Sequence, residues 1–547
     1  MLLEISALIG QRSYLLAAQK LNPLAASHPN DVDVAMLCGQ LALMRGESAE
    51  AVKHFEQAAI LAPGLAAAHA QLGALHAAMG NAELALRGYQ AALAAGAVSA
   101  ALHNNLGTIY LDRGKLDDAQ QCFEEALRLE PAFAAARNNL GRVWRERHEF
   151  AQALECFRAV APVEFDARVN VGQVLNDMGE HAQARTAFLA CFEEQPDHVP
   201  VLCGLGGACI WLWQLDDAER YFNLALAREP ANANARVGLA NIALLRGEFA
   251  LGWDLYEARV QIPKYEHQYA SGHPRWHGEE MPGRTLLVSA EQGYGDVLMF
   301  ARFLPSLTRA RATVVFRCSK PLVRLFGGMQ GVDRIVSDAA SFVACDAEIP
   351  LLSLARVLRV TRKDLPGVVP YIRPPEALVL AWSKRLALDP RARVGLVWGG
   401  NPDRARNGAR VPAPGEYGAL CDVAGVTYYN LQVGFGPAEL SKVPLALVDH
   451  SAELTDFADT AALMANLDLV IAVDTSVAHL AGAMGKPTWL LNSGAADWRW
   501  EIDGIDSPWY PSVRIFRRRE DGWARTLAEV AEALRSFALT HSRNPRS

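Results

Sequence analysis

An all-helical repeat superhelix followed by an α/β half with two Rossmann-like lobes is the fold class this sequence predicts, and three observations predict it. Small residues recur at positions 39, 73, 107, 141, 172, 206 and 240, in steps of 34 broken once by a step of 31. From Thr285 onward, short aliphatic and β-branched runs alternate with helical patterns, as strands joined by crossover helices do. A second set of such runs opens at Arg393. A chain of 547 residues has room for roughly two to four domains.

The repeats come first. Twelve residues after each of those small residues comes another: Ala51, Ala85, Ala119, Ala153, Ala184, Ala218 and Gly252. Sixteen after comes an aromatic: Phe55, Tyr89, Phe123, Phe157, Phe188, Phe222 and Tyr256. Prolines at 63, 131, 162, 196, 230 and 263 close most units. Small residues let two antiparallel helices approach and the ring fills the space beside them, which is the tetratricopeptide (TPR) pattern. Residues 1–30 keep Ala17 and Pro29 in register and are expected to cap the exposed end of the stack. The fourth full unit is three residues short before Pro162. This places a superhelix of about seven repeats plus the cap at 1–262, and a polar linker at 263–281.

Charge and cysteine usage narrow the function classes. The 53 basic and 60 acidic side chains leave a net charge of −7, which points to neither nucleic acid nor an anionic membrane as the main partner. Nine cysteines are scattered without a CxxC pair, as reduced thiols in a cytoplasm are. Met1 to Glu4 lacks the basic start of a signal peptide, and the longest charge-free run, Gly88 to Leu111, is too polar to span a bilayer. The expectation is a cytoplasmic chain with no membrane span, with self-association through the repeats left open.

In the second half, strands are predicted at Thr285–Ala290, Thr313–Arg317, Arg334–Ser337 and Ala347–Leu351, in a lobe at 282–390. A second lobe at 391–540 has strands at Arg393–Trp398, Thr427–Leu431, Ala446–Val448, Leu469–Val473 and Thr488–Leu491, and a closing helix from about Trp523 to Phe537. Parallel sheets hold ligands at the carboxyl ends of their strands, so two loops carry most weight. Leu469–Val473 runs into Asp474, Thr475 and Ser476, which are capping residues, and then into an apolar helical pattern that stops at Gly485 before Pro487. Such a junction aims backbone N–H groups and the positive end of a helix dipole above the sheet, a place for phosphate or diphosphate. An ordinary N-cap with His479 as a core histidine is the alternative reading. Thr285–Ala290 has the same shape, followed by the loop Glu291, Gln292, Gly293, Tyr294, Gly295, Asp296 and a helix from Val297 to Leu307; Asp296 would serve there at least as a cap. Gly485-Lys486 lies at a helix end and is no P-loop, and the spaced aspartates Asp31 and Asp33 fall in a repeat turn, so no metal is expected.

Gly295-Asp296-Val297-Leu298 and the run Asp474 to Ala481 resemble the two signature segments of glycosyltransferase family 9, the bacterial heptosyltransferases. Asp497-Trp498-Arg499-Trp500 and Ser507-Pro508-Trp509-Tyr510 strengthen the match, which covers about residues 282–540. With the repeats, the chain resembles bacterial TPR proteins that carry such a domain at the C-terminus. The resemblance implies a GT-B arrangement: an acceptor-side lobe at 282–390 and a nucleotide-sugar lobe at 391–540. It implies inverting, metal-independent transfer from a nucleotide-diphosphate sugar, which is a substrate and not a cofactor. Carried over residue by residue, Asp296 is the general base. The donor side is Asp474, Thr475, Ser476, Val477 and His479, joined by Gly400, Asn401, Arg410 and Gln432. Glu291, Gln292, Gly293 and Gly295 form the acceptor-side loop.

Two further features bear on the acceptor and on activity. Asn105, Asn139 and Asn170 hold equivalent positions in three consecutive repeats and resemble the asparagine ladder with which O-GlcNAc transferase holds a peptide backbone. Asparagine also occurs there in repeats with no such role. Where relatives carry a histidine, an aspartate and an Arg-Ser pair, this chain has Asp403 to Arg410, in which Arg404, Arg406 and Arg410 each offer a charge to a diphosphate. The leading reading is a cytoplasmic glycosyltransferase acting on a protein recruited by the repeat groove. The alternatives are a transferase acting on a glycan or lipid-linked acceptor, and a repeat scaffold whose transferase domain is weakly active or inactive.

Overall fold

In the computed structural model, the described residues are 1–262, 272–338, 343–365, 367–386, 389–400, 411–434, 440–494, 497–500, 504–519 and 522–541. The chain forms two compact units, Met1–Val174 and Leu175–Ser547, and the division falls inside the helix Phe165–Asp177. The first unit is entirely helical among its described residues, built of antiparallel pairs such as Val32–Met44 with Ser48–Leu61 and Ala100–Asp112 with Leu116–Leu129.

The spacing of the repeats has a direct steric cause. A Cβ added at Gly39, Gly73, Gly107 or Gly141 would lie 2.6–2.7 Å from the ring sixteen residues later, at Phe55, Tyr89, Phe123 or Phe157. The Cα hydrogens thus make the seat for a buried aromatic, and any side chain there would push the paired helices apart. Ala51, Ala85, Ala119 and Ala153 are fully buried beside those rings. The first two helices, Leu2–Gly10 and Tyr14–Ser27, close one end of the array, burying Ile5, Ile9, Ala17 and Leu21 while leaving Leu3 and Leu15 exposed.

The second unit begins with the remaining repeat helices, of which Phe249–Tyr256 is the last, and continues into two parallel sheets. Strands β1 (Thr285–Ser289), β2 (Thr313–Cys318), β3 (Arg334–Ser337) and β4 (Ala347–Pro350) form a sheet in the order β3-β2-β1-β4. Strands β5 (Ala392–Val397), β6 (Val426–Asn430), β7 (Leu447–Val448), β8 (Leu469–Val473), β9 (Thr488–Asn492) and β10 (Val513–Arg517) form another, ordered β10-β9-β8-β5-β6-β7. Strands β5, β8 and β9 are buried along their whole length; β8 is an unbroken apolar run, as a doubly covered strand requires, while β5 also buries Arg393 and β9 Thr488 and Asn492. The α/β class is therefore as expected. In the first sheet the order reverses between β1 and β4, and in the second between β5 and β8. These are the places where an open parallel sheet leaves a crevice above its carboxyl edge.

Two details differ from the expectations. Strand β10 was not anticipated: Val513, Ile515 and Phe516 are buried while Arg514 is exposed, an alternation that the neighbouring arginines disguise. Residues 274–281, expected within a linker, are anchored, since the Trp276 backbone N–H donates to the Glu348 carbonyl at 2.9 Å and Met281 is buried. The closing helix, Ala524–His541, buries Leu527, Val530 and Leu534 in the core of the six-stranded sheet, with Tyr417, Leu420 and Phe516.

The last repeats are welded to the α/β part. Trp253 is 2% exposed, donates from Nε1 to the Val360 carbonyl at 3.1 Å, and meets Trp498 and Phe300 edge-on. Arg259, also 2% exposed, donates to both carboxylate oxygens of Glu291, at 2.9 and 2.7 Å. Trp213 donates to the Gly494 carbonyl at 2.8 Å.

Candidate functional site

Loops after strands of both sheets build one cavity of about 1000 Å³. The loop after β1 contributes Gln292 to Asp296, the loop after β5 Gly399 and Gly400, the loop after β6 Leu431 to Gly434, and the loop after β8 Asp474 to Val477. These four stretches follow the carboxyl ends of their strands, and β1, β5 and β8 flank the two reversals in strand order; Ser319 after β2, Leu454 to Phe457, and Asp497 and Arg499 after β9 add to the lining. Tyr294 and Phe457 meet across the cavity with ring centroids 5.0 Å apart, and Arg324 pairs with Asp456 at 2.8 Å and Asp459 at 2.6 Å. Those contacts tie the two sheets' layers together at the rim.

Asp296 stands in the first turn of the helix Tyr294–Phe300. Its Oδ2 accepts from the Gly293 N–H at 3.4 Å, a long bond that caps the helix only weakly. Its Oδ1 accepts from Arg499 at 2.5 Å, and Arg499 also reaches Asp497 at 3.0 Å. All three side chains are largely buried, with 16–21% exposure. Burial alone would raise the Asp497 carboxyl, but the charge and hydrogen bonds of Arg499 outweigh it and hold it below the ordinary carboxylate range.

The helix Ser476–Ala483 points its N-terminus into the same cavity, with Thr475, extended in backbone, at the N-cap position but making no side-chain cap bond. The Thr475 hydroxyl oxygen is buried and has no protein partner among the described residues. Asp474 is partly exposed, 3.9 Å from His479 Nε2. His479 itself is 4% exposed, stacked on Trp500, and bonded through Nδ1 to the Tyr510 hydroxyl at 2.9 Å. Burial, then the nearby Arg499 charge, lowers its pKa to about 4, so at neutral pH it is an uncharged ring. A Cβ at Gly295 would fall 2.8 Å from that ring, so only glycine lets the two loops approach this closely.

Among the other sequence-derived residues, Gln292, Gly293 and Gly400 line the cavity with Gly295. Gln432 lines it too, and its Oε1 accepts from the Gly399 N–H at 3.0 Å, bracing the loop after β5. Glu291 turns the other way, into its ion pair with Arg259 and a bond from the Leu352 N–H at 3.0 Å. Gln292 holds a left-handed backbone, φ 61°, and exchanges hydrogen bonds with Tyr256 at 3.2–3.3 Å. Asn401 and Arg410, with Arg404 and Arg406, lie outside the described residues. In the first unit, Asn139 Nδ2 donates to Asn104 at 2.9 Å, Asn170 to Asn138 at 3.0 Å, and Asn105 to Tyr89 at 3.4 Å. These amides stitch adjacent repeats together, and Asn105 remains exposed.

Arg499 is the residue that sequence reasoning passed over: the segment Asp497–Trp500 was part of a resemblance, but no role followed from it. Its partner Asp296 is 203 residues away, and no local pattern announces such a pair. Among the described residues lining the cavity, Arg499 is the one lysine or arginine, set against Asp296, Asp456, Asp474 and Asp497.

Comparison with known proteins fits this division. Residues 2–66, 70–119, 104–167 and 214–263 match one tetratricopeptide repeat profile, and residues 165–198 match another. Residues 452–520 match the profile of glycosyltransferase family 9 (heptosyltransferase). That stretch includes Asp474 to His479, Asp497 and Arg499, while Asp296 lies outside it. The chain is similar to Protein FlbA of Caulobacter vibrioides, 28% identical over 457 residues that cover 70% of this chain and 75% of that one. Among solved structures it is similar to a tetratricopeptide repeat protein from Parabacteroides merdae, at 16% identity, over 44% of this chain and 94% of that one, with a TM-score of 0.38. It is also similar to pilF of Pseudomonas aeruginosa, at 22% identity, over 38% and 95% of the two chains, with a TM-score of 0.33. The chain therefore combines tetratricopeptide repeats across its N-terminal region with a C-terminal family 9 glycosyltransferase segment.

Proposed function

We propose that this chain, as a repeat protein with a family 9 segment, transfers a sugar from a nucleotide-diphosphate donor to a protein acceptor, by inversion and without a metal. In this reading the two sheets are the lobes of a GT-B enzyme, and the cavity between their carboxyl edges holds the donor. One observation carries it: a single cavity joins a carboxylate, Asp296, to a helix N-terminus where the Thr475 hydroxyl oxygen is buried without a protein partner among the described residues.

The chemistry follows from those positions. The acceptor hydroxyl attacks the anomeric carbon while Asp296 takes its proton. The bond from that carbon to the β-phosphate oxygen breaks, and its electron pair leaves with the nucleoside diphosphate. The N-terminus of Ser476–Ala483 and Arg499 meet the charge that develops there, which is the task a metal ion performs in other transferases. Asp474, exposed and anionic, suits a sugar or ribose hydroxyl. His479, uncharged, orients this turn through Tyr510 and Trp500. Configuration inverts because attack comes from the side opposite the leaving group.

The first unit offers the acceptor surface, with Asn105, Asn139 and Asn170 on one face of consecutive repeats. All nine cysteines are free, which supports a reducing, cytoplasmic setting. Among the described residues no helix is long and apolar enough to cross a membrane.

One observation favours the scaffold reading instead: Arg499, the one lysine or arginine in the described lining, is held by the proposed base Asp296 and by Asp497. A thermal-shift screen over UDP-, GDP-, ADP- and CMP-sugars separates the two. We expect one nucleotide class to raise the unfolding temperature, and Ser476→Trp to abolish that rise by blocking the helix N-terminus. An equal rise in this variant would move the diphosphate elsewhere; no response to any donor would favour the scaffold.

A further inference from the structure

The Asp296–Arg499–Asp497 bridge opposes the proposed chemistry as it stands. Arg499 occupies the Asp296 oxygen that would take the acceptor proton, and the carboxylates among the described lining oppose a diphosphate. Both difficulties have one remedy. We propose that Arg499 is the diphosphate-binding residue of this cavity, and that an arriving nucleotide-diphosphate donor takes it from Asp296, releasing that carboxylate to act as base only when donor is present. The inference rests on reading the cavity as a donor site.

The geometry supports an exchange of partners. Arg499 grips its two carboxylates separately: one terminal nitrogen reaches Asp296 Oδ1 and the other reaches Asp497 Oδ1. Either acceptor can be replaced by a phosphate oxygen without unmaking the other bond, and a planar fork of donors suits phosphate as well as carboxylate. The guanidinium carbon lies 4.3 Å from the centroid of the Trp498 ring, which offers a flat, attractive face to move across. Trp498 stays in place because Trp253 and Trp509 pack against it at 5.5 and 5.6 Å. When Arg499 departs, Asp296 keeps the Gly293 N–H and its place in the helix. An order of events follows: donor enters first, and proton removal from the acceptor begins only afterwards.

If carboxylates compete with diphosphate for Arg499, removing one of them must tighten binding of the anion, the reverse of what loss of an ordinary contact does. Titration calorimetry of the full chain with UDP, GDP, ADP, CDP and inorganic pyrophosphate, at fixed ionic strength, tests this. For whichever probe binds the wild type best, Asp497→Asn is expected to bind about tenfold tighter, the scale of one hydrogen bond to a charged group. Asp296→Asn is expected to shift affinity in the same direction. Arg499→Gln is expected to bind at least about tenfold more weakly, with Arg499→Lys, which keeps the charge and guards against a folding defect, lying between it and the wild type. Wild-type affinity in both asparagine variants would overturn the exchange while leaving the donor site intact. Unchanged affinity in Arg499→Gln and Arg499→Lys would remove Arg499 from the site. Failure of every probe to bind the wild type would overturn the donor-site reading and this inference together.

Discussion

Replacing Arg259 by alanine should damage the second unit more than any surface change, and the reason can be counted atom by atom. Its guanidinium makes two bonds to Glu291, one to Ser353 Oγ at 2.9 Å, one to the Tyr256 carbonyl at 3.2 Å and one to Glu257 at 2.9 Å. Glu291, 4% exposed, would lose both bonds from Arg259 while keeping the one from the Leu352 N–H. Removing one member of a buried ion pair costs about 3–5 kcal/mol, because the remaining buried charge loses the opposite charge that offset its desolvation. Denaturant unfolding followed by tryptophan fluorescence suits the measurement, since Trp144 alone of the twelve tryptophans lies in the first unit. The double variant Arg259→Met with Glu291→Leu should recover most of the loss, because it removes both charges and keeps the volume. A loss below about 1 kcal/mol in the single variant would refute the claim that this pair anchors the last repeat to the loop of Asp296.

Two other outcomes are expected. A fragment starting near residue 265 loses Arg259 and Trp253 together, so it should be insoluble or unfold well below the full chain, whereas one starting at 175 should remain folded by circular dichroism. Stability of the second unit should also fall as pH drops from 6.5 toward 4. His479 titrates at 6.5 when unfolded and at about 4 when folded, so between those values the unfolded chain binds the extra proton, at a cost of up to about 3 kcal/mol. His479→Gln should flatten that part of the pH profile, as read by chemical denaturation; an unchanged slope would place the titration elsewhere.

Much of this was legible in the sequence because the signals were local. The repeats announce themselves through glycine and ring pairs sixteen residues apart, and β5 and β8 through apolar runs that only a doubly covered strand needs. Asp296 and Asp474 to Val477 were found because strand, turn and helix follow one another directly. What stayed hidden depends on contacts between distant segments. Arg499 lies between aromatic residues and gives no sign that it bridges to Asp296. Glu291 sits in a loop that looks ready for a ligand, yet the charge it serves belongs to the last repeat. Strand β10 was masked by the arginines around it, one of which, Arg517, donates back to the Trp500 carbonyl at 2.8 Å. The asparagines of the repeats were aligned correctly in sequence, but their amides cross to the neighbouring repeat, a pairing that spacing alone does not reveal.

The central claim is that Asp296 removes the acceptor proton in a sugar transfer, and it meets its most direct test in transfer of a radiolabelled sugar to protein. The full chain would be incubated with lysate protein and whichever nucleotide-sugar raises its unfolding temperature, alongside an Asp296→Asn variant. Wild type should label discrete protein bands, and the variant should label the same bands about 10²–10⁴ times more slowly, the usual cost of losing one general base, while binding the nucleotide at least as tightly. Labelling by the variant at the wild-type rate would contradict the account and reduce Asp296 to a helix cap.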